Sequence, residues 1–255
     1  MIRLIASDLD GTLLVGTEKL PDGIFEVIRA LRKKGILFAA ASGRQYTNLR
    51  KLFYPVHQEM AFICENGALN VNGEKRDFRL IPRAYALELI EDILSTGMEL
   101  QLSTPGTTLL LANADRKYLW DFFHVIRNTC TVIDDPSQYA DELIKISGFR
   151  RGGLDGQAER LRLKWKDKVH AVLGGPDWLD FTMTSKGDGL SALCQSTGIP
   201  LSDVMAFGDQ FNDEAMLDLV GHPYLMVTAP DALKRKGYTP CENVMGVLKA
   251  LLCVE

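Results

Sequence analysis

MIRLIASDLDGTLL, residues 1–14, carries an apolar segment, Ile2 to Ala6, straight into two carboxylates around a single leucine, Asp8-Leu9-Asp10, and then into Gly11 and Thr12. Acids this close to an apolar run cost free energy unless a cation or a proton compensates them. The segment before them has the length and composition of a buried strand. The acids therefore sit at a strand's carboxyl end, the edge where open parallel sheets gather ligands.

The pattern that follows supports such a sheet. Pro21-Asp22 opens a helix whose apolar positions, Ile24, Val27, Ile28 and Leu31, recur at helical spacing, and Gly35 ends it. A second buried strand spans 36–41, Ser42-Gly43 turns the chain into a helix expected over 44–53, and a third apolar run covers 61–64. Strands alternating with helices predict an α/β fold, a Rossmann-like parallel sheet with helices on both faces.

Between Pro82 and about Phe181 the order changes to a helix (84–95), two strand-like runs around Pro105-Gly106, a helix (115–128), a strand (143–147), a helix (157–165) and a strand (169–173). This reads as an inserted α+β unit. After Lys186 the alternation resumes with a helix closed by Gly198, a strand at 204–207, a helix at 212–220, a strand at 224–227 and a last helix at 244–252. The expected organisation is thus a core of 1–82 and 182–255, with an insertion at 83–181.

Composition narrows the function. With 255 residues, 46% hydrophobic and 24% charged, this is an ordinary globular chain, and a net charge of −4 speaks against a nucleic-acid partner. No segment approaches the roughly 20 apolar residues of a membrane span. Five dispersed cysteines, Cys64, Cys130, Cys194, Cys241 and Cys253, form no metal-ligand spacing and read as reduced thiols of a cytoplasmic protein. His57, His124, His170 and His222 also lack ligand spacing, and Trp120, Trp165 and Trp178 read as packing residues of the insertion. Arg44 reads as a helix-surface charge and Arg150-Arg151 as an exposed turn.

Four features fall at the expected strand ends: Asp8-Leu9-Asp10, Ser42-Gly43-Arg44, Lys186, and Gly208-Asp209 with Asn212-Asp213. Together they supply what phosphoryl transfer to a carboxylate needs. Asp8 can act as the nucleophile, and Asp10, past a turn, as general acid and base. Asp8, the Asp10 carbonyl and Asp209 can hold Mg²⁺, which would compensate the clustered acids. Ser42 and the Gly43 N–H are expected at a helix start, facing an anion; a bland reading makes Ser42 only an N-cap. Lys186 balances nucleophile and phosphate, Gly11 allows a sharp turn, and Thr12 either bonds back into that turn or donates to the phosphate.

The elements DLDGTLL (8–14), SGR (42–44), Lys186-Gly187 and GDQFND (208–213), in this order, resemble the four motifs of the haloacid dehalogenase (HAD) superfamily, specifically its Cof-type phosphatases. ENGA (65–68) resembles the segment leading such chains toward a large α/β cap. The resemblance implies Asp8, Asp10 and Lys186 as catalytic residues. It implies Leu9, Thr12, Ser42, Gly43, Lys186 and Asn212 as contacts to phosphate or substrate, Asp8, Asp10 and Asp209 around Mg²⁺, and Asp213 as a carboxylate orienting the lysine or a metal-bound water. The implied activity is hydrolysis of small phosphorylated metabolites, sugar phosphates first and cofactor phosphates such as pyridoxal phosphate or FMN next, by a monomer or homodimer. A hexose phosphomutase and a catalytically silent regulatory protein of the same fold are the alternatives. Thr228-Ala229-Pro230 departs from the Gly-Asn-Ala turn frequent in this family.

Overall fold

The computed structural model describes residues 1–14, 19–112, 118, 119, 121, 128–174 and 176–253. The chain divides into two compact units, one formed by Met1–Ser42, Leu52–Asp77 and Ser185–Glu255, the other by Gly43–Lys51 and Phe78–Thr184.

The first unit is built on β1 (Leu4–Ser7), β2 (Leu37–Ala41), β3 (Ala61–Cys64), β4 (Leu69–Asn72) and β5 (Lys75–Phe78), joined after the second unit by β12 (Val204–Gly208), β13 (His222–Met226) and β14 (Thr239–Cys241). The sheet order is β14-β13-β12-β1-β2-β3-β4-β5. Strand β1 is central: Leu4 pairs in parallel with Leu37 on one side and Val204 on the other. Parallel pairing extends outward through β3 and β14, whereas β4 runs antiparallel to β3. Leu4, Ala6, Ala39 and Ile63 pack with Leu190, Leu193 and Met216 of the following helices. Ile5, Phe38 and Phe62, which alternate with them, are buried too. Strands buried on both faces read as continuous apolar runs, which is how LIAS and LFAAA appear in the sequence.

Strands β4 and β5 are additions to the expected parallel sheet. Their signal is short: two runs joined at Asn72-Gly73, a hairpin dipeptide, with Gly73 at φ +61°. Two helices are also shorter than expected. The one after β2 spans Tyr46–Leu52, and the expected 212–220 helix resolves into a turn at Phe211–Asp213 followed by Glu214–Leu217. The departure at Thr228-Ala229-Pro230 forms a turn after β13 in which the Ala229 N–H donates to Met226 at 3.0 Å.

The second unit holds β6 (Glu99–Ser103), β7 (Thr108–Leu111), β8 (Cys130–Ile133), β9 (Lys145–Phe149), β10 (His170–Leu173) and β11 (Trp178–Thr182), in the order β10-β11-β9-β6-β7-β8. One sheet face, with Leu100, Leu102, Ile146, Leu179 and Phe181, packs on helices Arg83–Ser95 and Gly156–Trp165. Trp165 is fully buried there, and its indole N–H donates to Asp92 at 2.7 Å. Alternate residues place Gln101, Ser103, Lys145, Ser147, Asp180 and Thr182 on the opposite face. The sequence reading missed β8 and β11, where Thr131 and Asp180 interrupt short apolar runs. Most of the helix expected at 115–128, with Trp120 and His124, lies outside the described residues.

The second unit is wider than an insertion at 83–181, because Gly43–Lys51 belongs to it. Gln45 explains why: its amide donates to Thr108 Oγ1 at 3.2 Å and to the Thr129 carbonyl at 3.3 Å, and its oxygen accepts the Thr129 N–H at 2.9 Å. Among the described residues no helix is long and apolar enough to cross a membrane, and all five cysteines are free thiols.

Between β3 and β4 the chain reverses through Glu65, Asn66 and Gly67, with φ of +50°, +56° and +93°. Left-handed backbone costs a residue with a Cβ about 1–2 kcal/mol. At Gly67 a Cβ would also stand 2.1 Å from the Ser185 carbonyl oxygen. Gly67→Ala is therefore expected to lose about 2–4 kcal/mol of stability from strain and overpacking; chemical denaturation measures it, and an unchanged midpoint would contradict the close approach.

Candidate active site

The ends of β1 and β12 meet because these strands are hydrogen-bonded neighbours: the Asp8 N–H continues the ladder onto the Phe207 carbonyl at 2.9 Å. Beyond Asp8 the chain makes one wide turn, Leu9–Leu13, closed by the Leu14 N–H on the Leu9 carbonyl at 2.9 Å. Gly11, at φ +88°, passes so close to Asp209 that a Cβ would sit 2.3 Å from its Oδ2. Only glycine meets both demands.

Lys186 enters from the third direction. It is the first residue of helix Lys186–Thr197, whose start is fixed by a capping box: the Asp188 N–H donates to Ser185 Oγ at 3.1 Å, and the Ser185 N–H to Asp188 Oδ2 at 2.7 Å. A cation at a helix N-terminus opposes the dipole. Two carboxylates offset that cost: Lys186 Nζ donates to Asp8 Oδ1 at 2.6 Å and to Asp213 Oδ1 at 2.7 Å, and all three side chains are buried.

Asp213 is fixed by more than the lysine, since its Oδ2 accepts the backbone N–H groups of Asp209 at 3.0 Å and Gln210 at 3.1 Å. Asp209 accepts from Thr12 Oγ1 at 3.1 Å and from Gln210 Nε2 at 3.2 Å. Oxygens of Asp8, Asp209 and Asp213 lie within 4.8 Å of one another. Three buried acids thus face one lysine. Burial first, then Asp213, push the Asp8 carboxyl up to about 8 against the opposing pull of Lys186. Burial and Asp213 likewise raise Asp209. Burial pulls Lys186 down, but Asp213 and Asp8 outweigh it and hold the ammonium charged.

An all-oxygen donor set with excess negative charge suits a hard divalent cation. Asp213 already accepts three hydrogen bonds, so Asp8 and Asp209 are the acids best able to lend oxygens to an ion. Asp10, expected to contribute its carbonyl, has an exposed side chain outside the carboxylate cluster.

Several expected phosphate contacts stand differently. Thr12 neither closes its own turn nor stands uncommitted toward a ligand; its hydroxyl is spent on Asp209. The Leu9 side chain is fully buried, so only its backbone can face a ligand. Ser42 follows β2 directly, four residues ahead of the helix at Tyr46–Leu52, and so is not that helix's N-cap. Its N–H donates to Ile63 at 2.8 Å and its carbonyl accepts from Asn66 at 3.1 Å. Gly43 falls in the second unit, where Lys145 Nζ donates to its carbonyl at 3.1 Å. Asn212 Nδ2 donates to Asn66 Oδ1 at 3.4 Å. Sequence reasoning missed Gln210 and Asn66; both stood inside quoted motifs, GDQFND and ENGA, without a polar partner being evident.

The sequence pattern of the haloacid dehalogenase-like hydrolases matches residues 5–251, nearly the whole chain. This chain belongs to that family. Several of the relatives it resembles carry the word phosphatase in their names. It is 27% identical over 269 residues to the 5-amino-6-(5-phospho-D-ribitylamino)uracil phosphatase of Escherichia coli, a match covering 98% of this chain and 96% of the relative.

 A haloacid dehalogenase-like hydrolase from Bacillus subtilis superposes with a TM-score of 0.85 at 20% identity, covering 100% of both chains. The subclass IIB sugar phosphatase BT4131 superposes with a TM-score of 0.80 at 21% identity, covering 98% of each.

The raised Asp8 carboxyl has a consequence for stability. In ion-free protein the folded state holds a proton on Asp8 that the unfolded chain, at its ordinary 3.8, has already released, so stability falls as pH rises from 3.8 through about 8. Chelator-treated protein is expected to melt lower at pH 8 than at pH 6, with the slope reduced in Asp8→Asn; thermal scans across that range check both, and a flat profile would contradict the excess buried charge.

Proposed function

We propose that the chain hydrolyses phosphate monoesters of small metabolites, with Mg²⁺ as cofactor and Asp8 as the nucleophile. The observation that carries this reading is the buried cluster in which Lys186 joins Asp8 to Asp213 beside Asp209, at the carboxyl edge of a parallel sheet. Bound Mg²⁺, held by Asp8, Asp209 and the Asp10 carbonyl, supplies charge stabilisation to the phosphoryl oxygens.

The chain's own groups divide the remaining work. Lys186 holds Asp8 Oδ1 at 2.6 Å and, together with a bound cation, would favour the ionised carboxyl, leaving Oδ2 to attack phosphorus. A bond forms between Asp8 and phosphorus as the ester oxygen leaves, and Asp10 protonates that oxygen. Asp10 then takes a proton from water as it attacks the aspartyl phosphate, releasing inorganic phosphate and restoring Asp8. Ser42, Asn212 and the backbone at Leu9 serve as polar contacts to the phosphate, and Asp213 fixes Lys186. The second unit is assigned as the cap domain.

Small phosphorylated metabolites fit this reading, sugar phosphates first. It is supported by the phosphorylated ribityl compound in the name of the E. coli relative and by the sugar phosphatase among the structural neighbours.

Asp8→Asn is expected to reduce phosphate release to below about one-thousandth of wild type, because an amide is a poor nucleophile. Release measured on an aryl phosphate checks this, and retained turnover would exclude the covalent route. Asp10→Asn is expected to slow turnover about 10²- to 10⁴-fold. Intact-mass measurement should then show enzyme heavier by one phosphoryl group; its absence during slowed turnover would place the Asp10 defect before phosphorylation.

A further inference from the structure

ENGA, residues 65–68, is the sequence motif to which phosphoryl transfer assigns no role. Glu65 and Asn66 hold positive φ although neither is glycine. Such backbone persists only where its surroundings over-determine it, and it concentrates at functional sites. The surroundings here are specific. The Asn66 N–H donates to the Ser42 carbonyl at 3.1 Å, and Asn66 Oδ1 accepts from Asn212 Nδ2 at 3.4 Å. Next along the chain, Gly67 lies against the carbonyl of Ser185, the residue preceding Lys186.

One buried residue therefore touches two of the polar groups assigned to the phosphate, which come from the ends of different strands. We propose that Asn66 is a positioning residue: its backbone fixes Ser42, and its side-chain oxygen sets Asn212 in the orientation that receives the phosphate. The inference rests on the phosphatase reading and adds to it a residue that does not itself touch substrate. It also accounts for the residue type. Glycine would tolerate the left-handed backbone but offer no acceptor, and a β-branched residue would tolerate neither. Aspartate would offer the acceptor but add a negative charge beside a site for an anion. Asparagine meets all three demands.

The test is a double-mutant cycle on the full chain with an aryl phosphate and Mg²⁺, using wild type, Asn66→Gly, Asn212→Ala and the double variant. Glycine accepts φ +56°, so Asn66→Gly is expected to unfold at the wild-type midpoint while its KM rises about 5- to 20-fold, with a smaller change in kcat. Asn212→Ala is expected to show a similar split, and the double variant to be no worse than the poorer single. Penalties that multiply, a wild-type KM in Asn66→Gly, or a lowered midpoint in that variant would each overturn the positioning role while the phosphatase reading stands. A wild-type protein that releases no phosphate would overturn that reading and this inference together.

Discussion

The structure turns on one ammonium group shared by two carboxylates. Lys186 lies 2.6 Å from Asp8 and 2.7 Å from Asp213, with all three side chains out of water. Breaking a buried pair by removing one partner typically costs about 3–5 kcal/mol, because the other charge stays desolvated. The lysine therefore cannot be an incidental surface charge. It makes the acids tolerable, yet it is outnumbered, and the remaining negative charge is what a divalent ion would answer. Stability and chemistry draw on the same imbalance.

Bringing these groups together is the work of the sheet. Asp8 leaves β1 and Asp209 follows β12, and because these strands pair in register from Leu4 and Val204, residues about two hundred positions apart arrive side by side. The backbone is then packed to the limit. Gly11 lies against Asp209 and Gly67 against Ser185, each at a distance that admits hydrogen but no methyl group. Thr12 and Gln210 complete the arrangement by donating to Asp209, so that an acid destined for a cation is already held in place. The polar residues are positioned by other polar residues, not by apolar packing alone.

Much of this was legible in the sequence because the central strands are apolar throughout and their ends are punctuated by acids, glycines and a serine. Leu4–Ser7, Leu37–Ala41 and Ala61–Cys64 are short uninterrupted apolar runs, and Gly35 and Gly198 mark helix ends. What escaped was whatever depends on contacts across the fold. Strands Cys130–Ile133 and Trp178–Thr182 carry polar residues on one face, which hides a strand in a short window. The place of Gly43–Lys51 is decided by Gln45 bonding to Thr108 and Thr129, which no local pattern encodes. Thr12 is read from the sequence as closing its turn or meeting a phosphate, and Asn212 as a phosphate contact only through the family resemblance; their protein partners, Asp209 and Asn66, are 197 and 146 residues away along the chain.

The most direct measurement is the unfolding free energy of Lys186→Met, a change that keeps the bulk of the side chain and removes its charge. The account predicts a loss of about 3–5 kcal/mol in ion-free protein near neutral pH, since the buried Asp213 loses its cationic partner and Asp8 the donor to its Oδ1. A variant as stable as wild type would show that the lysine does not hold the acids together, and the charge balance on which the site is built would be wrong.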